Sequence, residues 1–257
     1  MLARGIERAG APPFGAAAPV LRAADLAFVN LECPVTERPF VRRKVVNLRA
    51  RPERVGWLVE AGIDGVSVAN NHTADCGAEG FRDTVEAVEH RGLFAAGAGD
   101  GTAVLRVRGR SVGFLALSDF RLDAVKGQHV LDPETFEDEV RTLARRADVV
   151  VVSIHWGVEG TLLPTPRQRE LAARAVRGGA SVVVGHGPHT VQPVETLEGA
   201  VVAFSLGDLV FDRPGERVVL KVVLEGGTAR AELIRLGDAS PWRTARARGR
   251  PRTRAAY

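Results

Sequence analysis

Residues 67–77 read SVANNHTADCG. An apolar run ends in two amides and an imidazole, and an acid and a glycine follow within a few residues. A strand that carries ligand-type side chains at its tip and then feeds a helix is the repeating unit of an open α/β sheet, where ligands gather at the carboxyl ends of the strands. DGVSVAN (64–70) is therefore assigned as a strand and AEGFRDTVEAVEHRG (78–92) as the helix that follows it.

The same alternation extends in both directions. DLAFVNL (25–31) predicts a buried strand and PERVGWLVEAG (52–62) a helix ending at Gly62. LFAAGA (93–98) predicts a short strand, and residues 102–118 a hairpin turning at RGR. Helix 133–147 precedes strand 148–156, and helix 165–179 precedes strand 180–186. The remaining apolar runs, 200–206, 217–226 and 228–236, are strand-like. Strands alternating with helices imply a buried mixed sheet, and the hairpins imply a second, partly antiparallel one. There is no internal repeat and no linker. The longest irregular stretch, residues 120–135, is expected to be a loop over the site.

The composition sets limits. The chain has 257 residues, 45% of them hydrophobic but only 5% aromatic, so Ala, Val and Leu must fill the core. No run of about 18 apolar residues exists, so no transmembrane segment is expected, and the opening MLARGIERAGAPPFG lacks the apolar stretch of a secretory signal. Cys33 and Cys76 are expected to be reduced thiols of a cytoplasmic protein. A chain that extended upstream could instead be membrane-associated or secreted. The net charge of +4 comes from the end of the chain, where Arg243, Arg246, Arg248, Arg250, Arg252 and Arg254 lie within fifteen residues. Without them 29 basic residues face 31 acidic ones. The expected organisation is one domain over 1–240 and a basic, disordered tail over 241–257. No nucleic-acid motif accompanies that tail, so no specific nucleic-acid partner is expected.

Four strand tips carry the chemistry. They are Asn30-Leu31-Glu32, Asn70-Asn71-His72, His155-Trp156-Gly157 and His186-Gly187-Pro188-His189, which together hold four of the six histidines. His90 and His129 lie elsewhere. One histidine at a strand end is ordinarily a hydrogen-bonded structural residue. Four tips that all end in nitrogen and oxygen ligand types point to a metal site instead. Imidazole, carboxylate and amide oxygen without paired cysteines suit Mn, Fe, Zn or Co. Two imidazoles on the tight GHGPH turn could each reach a different ion of a pair.

NLECPVT (30–36), VSVANNHTADCGAEG (66–80), SIHWGVE (153–159), VVVGHGPHTVQPVE (182–195) and FSLGDLVFD (204–212) resemble, in that order, the motifs of the CapA family. These are capsule-synthesis (poly-γ-glutamate) proteins of the calcineurin-like metallophosphoesterase superfamily. The resemblance covers residues 1–212. It implies a four-layer α-β-β-α sandwich with two divalent metal ions. It implies that Glu32 is a ligand acid, that Asn71, His155 and His186 bind the second metal, and that His189 binds the first. His72 would then be the general acid that protonates the leaving oxygen, with Asn30 a candidate supporting residue. Asp75 would either orient His72 or, more ordinarily, cap the helix starting near Ala78. Asp208 stands where the family has Asn, and either adds a ligand or shifts local charge.

The family opens with a strand ending in a GDVMLGR-like motif whose Asp bridges both metals. This chain opens MLARG, with Met1 at the Met of that motif, so it is expected to lack the first strand and its Asp. One sheet would then carry a gap with unpaired backbone groups. Either the start is assigned too far downstream, which a cut inside a would-be central strand favours, or the centre is weakened. Asp25 opens the strand that ends near Glu32, so it should lie roughly 15–20 Å from the site at about 3.3 Å per residue. The implied function is a metal-dependent phosphoesterase acting on a phosphorylated or polyanionic substrate. The competing reading is a non-hydrolytic component of capsule-polymer assembly or export.

Overall fold

The computed structural model describes residues 2–3, 6, 10–41, 44–121, 124–212, 215–225 and 228–236. The expected basic tail, 241–257, lies outside them.

A three-stranded parallel sheet holds β1 (Phe28–Asn30), β2 (Gly65–Ser67) and β3 (Phe94–Ala96) in that order. A six-stranded sheet holds β4 (Thr102–Val107), β5 (Arg110–Ser118), β6 (Val149–His155), β7 (Val182–His186), β9 (Ala200–Ala203) and β8 (Val194–Leu197). Its four central strands, β5, β6, β7 and β9, are parallel. β4 and β8 close its edges antiparallel. A separate hairpin joins β10 (Val218–Glu225) to β11 (Thr228–Arg235).

The helices follow from spacing and caps. In α4 (Phe136–Ala144), Phe136, Val140 and Leu143 repeat at helical intervals and are buried, while Glu137, Asp138 and Glu139 suit the positive N-terminal end. In α5 (Pro166–Arg177), Thr165 and Gln168 form a capping box and Pro166 fills the first turn. Both helices pack on the six-stranded sheet. α3 (Gly77–His90) buries Phe81, Thr84 and Val88 and contacts β3. α2 (Val55–Ala61), entered by a 3-10 turn at Pro52–Arg54, ends at Gly62 in the left-handed conformation. It packs against α1 (Ala17–Arg22).

The two sheets meet through aromatic side chains. The rings of Phe28 and Phe94 lie 4.8 Å and 4.9 Å from that of Phe114, and β3 touches both β4 and β5. The parallel strands of both sheets end on the same side, since Glu32 after β1 lies 3.8 Å from His155 at the tip of β6. Asp25 lies at the other end, where Arg108 in the β4–β5 turn donates to it at 2.7 Å. Cys33 and Cys76 are buried.

β1 is an edge strand, paired with β2 alone among the described residues. A cavity of about 560 Å³ runs beside that edge, with β10 and Ile234 across from it, and opens at one end onto Glu32, His186, His189 and Asp208. Its walls are mostly apolar, including Phe14, Leu21 and Leu58.

Candidate metal centre

The site is built from the ends of the parallel strands. His155 and His186 are register partners at the tips of β6 and β7, so adjacent strands bring the two imidazoles side by side. Trp156 fixes that junction: its backbone N–H donates to His186 O at 2.8 Å and its indole to Phe204 O at 2.9 Å. Gly187 follows at φ +118, and a Cβ there would stand 2.3 Å from Trp156 O, so only glycine lets the turn pass. His189 itself sits at φ +59, a strained conformation for a non-glycine residue.

Glu32 enters from the other sheet. Its Oε1 lies 3.8 Å from His155 Nε2 and 3.7 Å from His189 Nε2. Its Oε2 accepts from Asn30 Nδ2 at 3.2 Å, and Asn30 Oδ1 accepts from Asn70 Nδ2 at 3.2 Å. Asn70 also donates to Leu31 O and accepts from the backbone N–H of His72. Asn70 therefore links the β1 and β2 tips, a role that the sequence reading did not assign. The doubled amide in NNH was its only trace.

His72 Nδ1 lies 2.7 Å from Asp75 Oδ2, which leaves Nε2 as the nitrogen available for proton transfer. The capping role expected of Asp75 is not what the structure contains. Cys76 occupies the N-cap of α3 without a side-chain hydrogen bond, and Asp75 turns inward to accept from His72 and from Leu48 N. Lys44 Nζ stands 3.1 Å from Asp75 Oδ1 and donates to Asn71 O at 2.9 Å. Asp208 Oδ1 lies 2.8 Å from His189 Nδ1, so it orients that ring and leaves Nε2 facing Glu32. The 120–135 stretch reaches the site as expected. The Phe120 ring lies 5.5 Å from that of His155, and Gln128 Nε2 donates to Asn70 O. His129 stands apart, bonded to Glu139.

Burial pushes the Glu32 carboxyl above its ordinary range, against the pull of His189. Burial, together with its neighbouring imidazoles, pushes His155 well below the ordinary imidazole range, and burial brings His186 to about 4. Burial also opposes charge on His189, but the Asp208 hydrogen bond and the Glu32 carboxylate outweigh it and raise that ring. The rings of His155 and His186 are thus held neutral and ready to donate lone pairs.

Whether these residues suit metal ions is decided by their unsatisfied atoms. Glu32 Oε1, Asn71 Oδ1, His155 Nδ1 and His186 Nε2 are buried without a hydrogen-bond partner. Buried polar atoms are nearly always paired, so four unpaired donors of ligand type on the assigned residues mark a place for a cation. Glu32 Oε1 stands 3.8 Å from His155 Nε2 and 3.7 Å from His189 Nε2, and no three His, Cys, Asp or Glu side chains among the described residues close into a finished cage. The donor chemistry fits Mn, Fe, Zn or Co. Glu32 joins His155 and His189, and Asp208 joins His189; His186 lines a cavity with Glu32, His189 and Asp208 and is the register partner of His155. Asn71 and His72 adjoin through the Asn30–Asn70 hydrogen bonds.

The fold and the strand-tip site define an α/β protein with the fold of a solved phosphatase. A phosphatase from Mycoplasma pneumoniae aligns with a TM-score of 0.59 at 13% identity, over 90% of this chain and 92% of that one. A hypothetical protein from Thermus thermophilus aligns with a TM-score of 0.58 at 18% identity, over 87% and 94%. The chain belongs to the bacterial capsule synthesis protein family PGA_cap, whose profile matches residues 1–213. It is 33% identical to the PGA biosynthesis protein CapA of Bacillus subtilis (strain 168), over 87% of this chain and 64% of that one. It is 31% identical to the capsule biosynthesis protein CapA of Bacillus anthracis, over 85% and 59%. The chain thus spans about three fifths of the length of these relatives. No helix among the described residues is long and apolar enough to cross a membrane.

Proposed function

We propose that this protein is a metal-dependent hydrolase of phosphoester bonds that serves poly-γ-glutamate capsule synthesis. The observation that carries this reading is that four residues assigned to the metals bury ligand-type atoms without partners, with a His–Asp pair next in sequence to one of them. The four-layer α-β-β-α arrangement belongs to the same proposal, supported by the sheet-to-sheet contact and by the helices on the outer faces.

Glu32, Asn71, His155, His186 and His189 would hold two divalent ions. When bound, such a pair polarises a phosphoryl group and makes a water nucleophilic at neutral pH. The chain's own residues do the rest. Asp208 fixes the ring of His189, and Asn30 fixes the carboxylate of Glu32. Asp75 holds His72 with Nε2 free, and that nitrogen delivers the proton to the departing oxygen. The Phe120 ring packs against that of His155, tilted by 59°.

The test uses protein loaded with Mn, Fe, Zn or Co and assayed on p-nitrophenyl phosphate and on bis(p-nitrophenyl) phosphate. His72→Asn keeps an amide donor toward Asp75 but carries no transferable proton. It should lower kcat by about 10²–10⁴-fold with metal content unchanged. A protein that holds two ions yet hydrolyses neither ester would defeat the reading.

A further inference from the structure

SIHWGVE ends in a carboxylate that the proposed site does not use. Glu159 lies on the loop after β6, and two backbone hydrogen bonds tie that loop to the turn carrying His189. Trp156 N donates to His186 O and Gly160 N to Pro188 O, both at 2.8 Å. Gly157 and Gly160 take φ values of +82 and +77, so the chain folds back over the turn at positions where a side chain would be strained. The result places Glu159 Oε1 3.9 Å from His189 Nε2. The same nitrogen has Glu32 Oε1 at 3.7 Å. Asp208 occupies the second ring nitrogen, so Nε2 is the one left to face both carboxylates.

The Glu32 side chain is nine-tenths buried and its Oε1 has no partner. Glu159 is mostly exposed, and its ion pair among the described residues is with His189. Two donors on one tetrahedral ion stand roughly 3.4 Å apart when each metal–ligand bond is about 2.1 Å. The observed spacings exceed that by only a few tenths of an ångström. A buried and an exposed carboxylate, each within 4 Å of one imidazole nitrogen, supply the donor types that suit a borderline-hard divalent cation.

We propose that Glu159 is a ligand of the cation site built on His189 and Glu32, closing it from the solvent side. This rests on the metal-dependent reading above and extends it to a residue that reading leaves without a role. It also gives the site a second anionic ligand in addition to Glu32, supplied from a loop that backbone bonds already hold in place. The site borders a cavity of about 540 Å³ lined by Glu159, Pro188, His189 and Asp208, so a ligand at position 159 separates the ion from open solvent.

The experiment is a Mn²⁺ titration of the full chain at neutral pH, read by calorimetry and by the loss of free-ion electron paramagnetic resonance signal. The variants are Glu159→Gln, Glu159→Asp and His189→Gln. Glu159→Gln should weaken one Mn²⁺ by about 10–100-fold or more, the range that even supporting partners of a ligand command, and leave the other ion and the metal-free melting temperature unchanged. Glu159→Asp should recover part of the loss. If Glu159→Gln binds both ions like the wild type while His189→Gln loses one, Glu159 is not a ligand and the metal-dependent reading stands. If the wild-type chain binds no Mn²⁺, both fall.

Discussion

Asp75 has no exposed surface, and three groups converge on its carboxylate: the His72 ring, the Leu48 amide and the Lys44 ammonium. Such an acid acts through the ring it holds. Leu48 N and His72 Nδ1 share Oδ2. Asp75→Asn therefore removes the charge that steadies a protonated His72, and an amide N–H turned to that position forces the other tautomer at the cost of the Leu48 bond. The expected result is a fall in kcat of about 10²-fold or more with both ions retained, as for a histidine whose tautomer is wrong. An unchanged kcat would make Asp75 merely structural. The sequence alone favoured a helix cap here, because Asp two residues before a helix is a frequent capping pattern and local spacing carries no record of the Leu48 and Lys44 contacts. Asp208 shows the converse. Its place in SLGDL stood out as unusual, but only the fold brings it to 2.8 Å from His189, nineteen positions away.

At the scale of single elements, the legible parts were those with a long, regular period. Residues 148–156 and 180–186 were read as strands, and β6 and β7 occupy Val149–His155 and Val182–His186. Valine runs buried on both faces announce a central parallel strand. The run 25–31 was read too long, since only Phe28–Asn30 pairs. Ala27 and Leu31 flank that ladder, Ala27 O accepting from Gly65 N and Leu31 N donating to Ser67 O, and an apolar pattern cannot tell a flanking residue from a paired one. Two elements were missed. α1 has six residues and contains Pro19, and β8 has four, so neither completes enough periods to register. The start of α5 was placed correctly because its signal is chemical. Thr165 accepts from Gln168 N at 3.2 Å, and Gln168 Oε1 accepts from Thr165 N at 3.0 Å. Thr165→Ala should remove one half of this box and lower stability by about 1 kcal/mol. For a chain of this size that is a fall of about 2–4 °C in Tm, read by calorimetry. No shift in Tm would mean that packing of Leu171 and Ala175 alone sets the helix.

At the scale of the whole molecule, the centre that joins the two sheets is also where acid should act first. His186 is held neutral by burial down to about 4, and His155 is depressed in the same direction. In the unfolded chain both rings take a proton near 6.5. Between pH 6.5 and about 4 the unfolded state therefore binds protons that the native state refuses, so stability falls as pH falls through that window. At 1.36 kcal/mol per unit, His186 alone accounts for at most about 3 kcal/mol, a large share of the roughly 5–15 kcal/mol that hold a domain together. Glu32 is raised and works the other way, regaining some stability as it takes its proton. The stabilising effect of the raised His189 is already complete below 6.5 and adds no slope there. Urea unfolding in excess chelator should thus show an acid limb that His186→Asn flattens, since asparagine does not titrate. The gap between variant and wild type should shift in favour of the variant by about 3 kcal/mol or less from pH 6.5 to 4. Bound divalent ions should shift the limb to lower pH, because a ligated imidazole is neutral in the native state at a further gain in free energy. Parallel stability curves for the two metal-free proteins would show that the His186 ring is hydrated in solution. The junction of the sheets would then be open to water in the absence of metal.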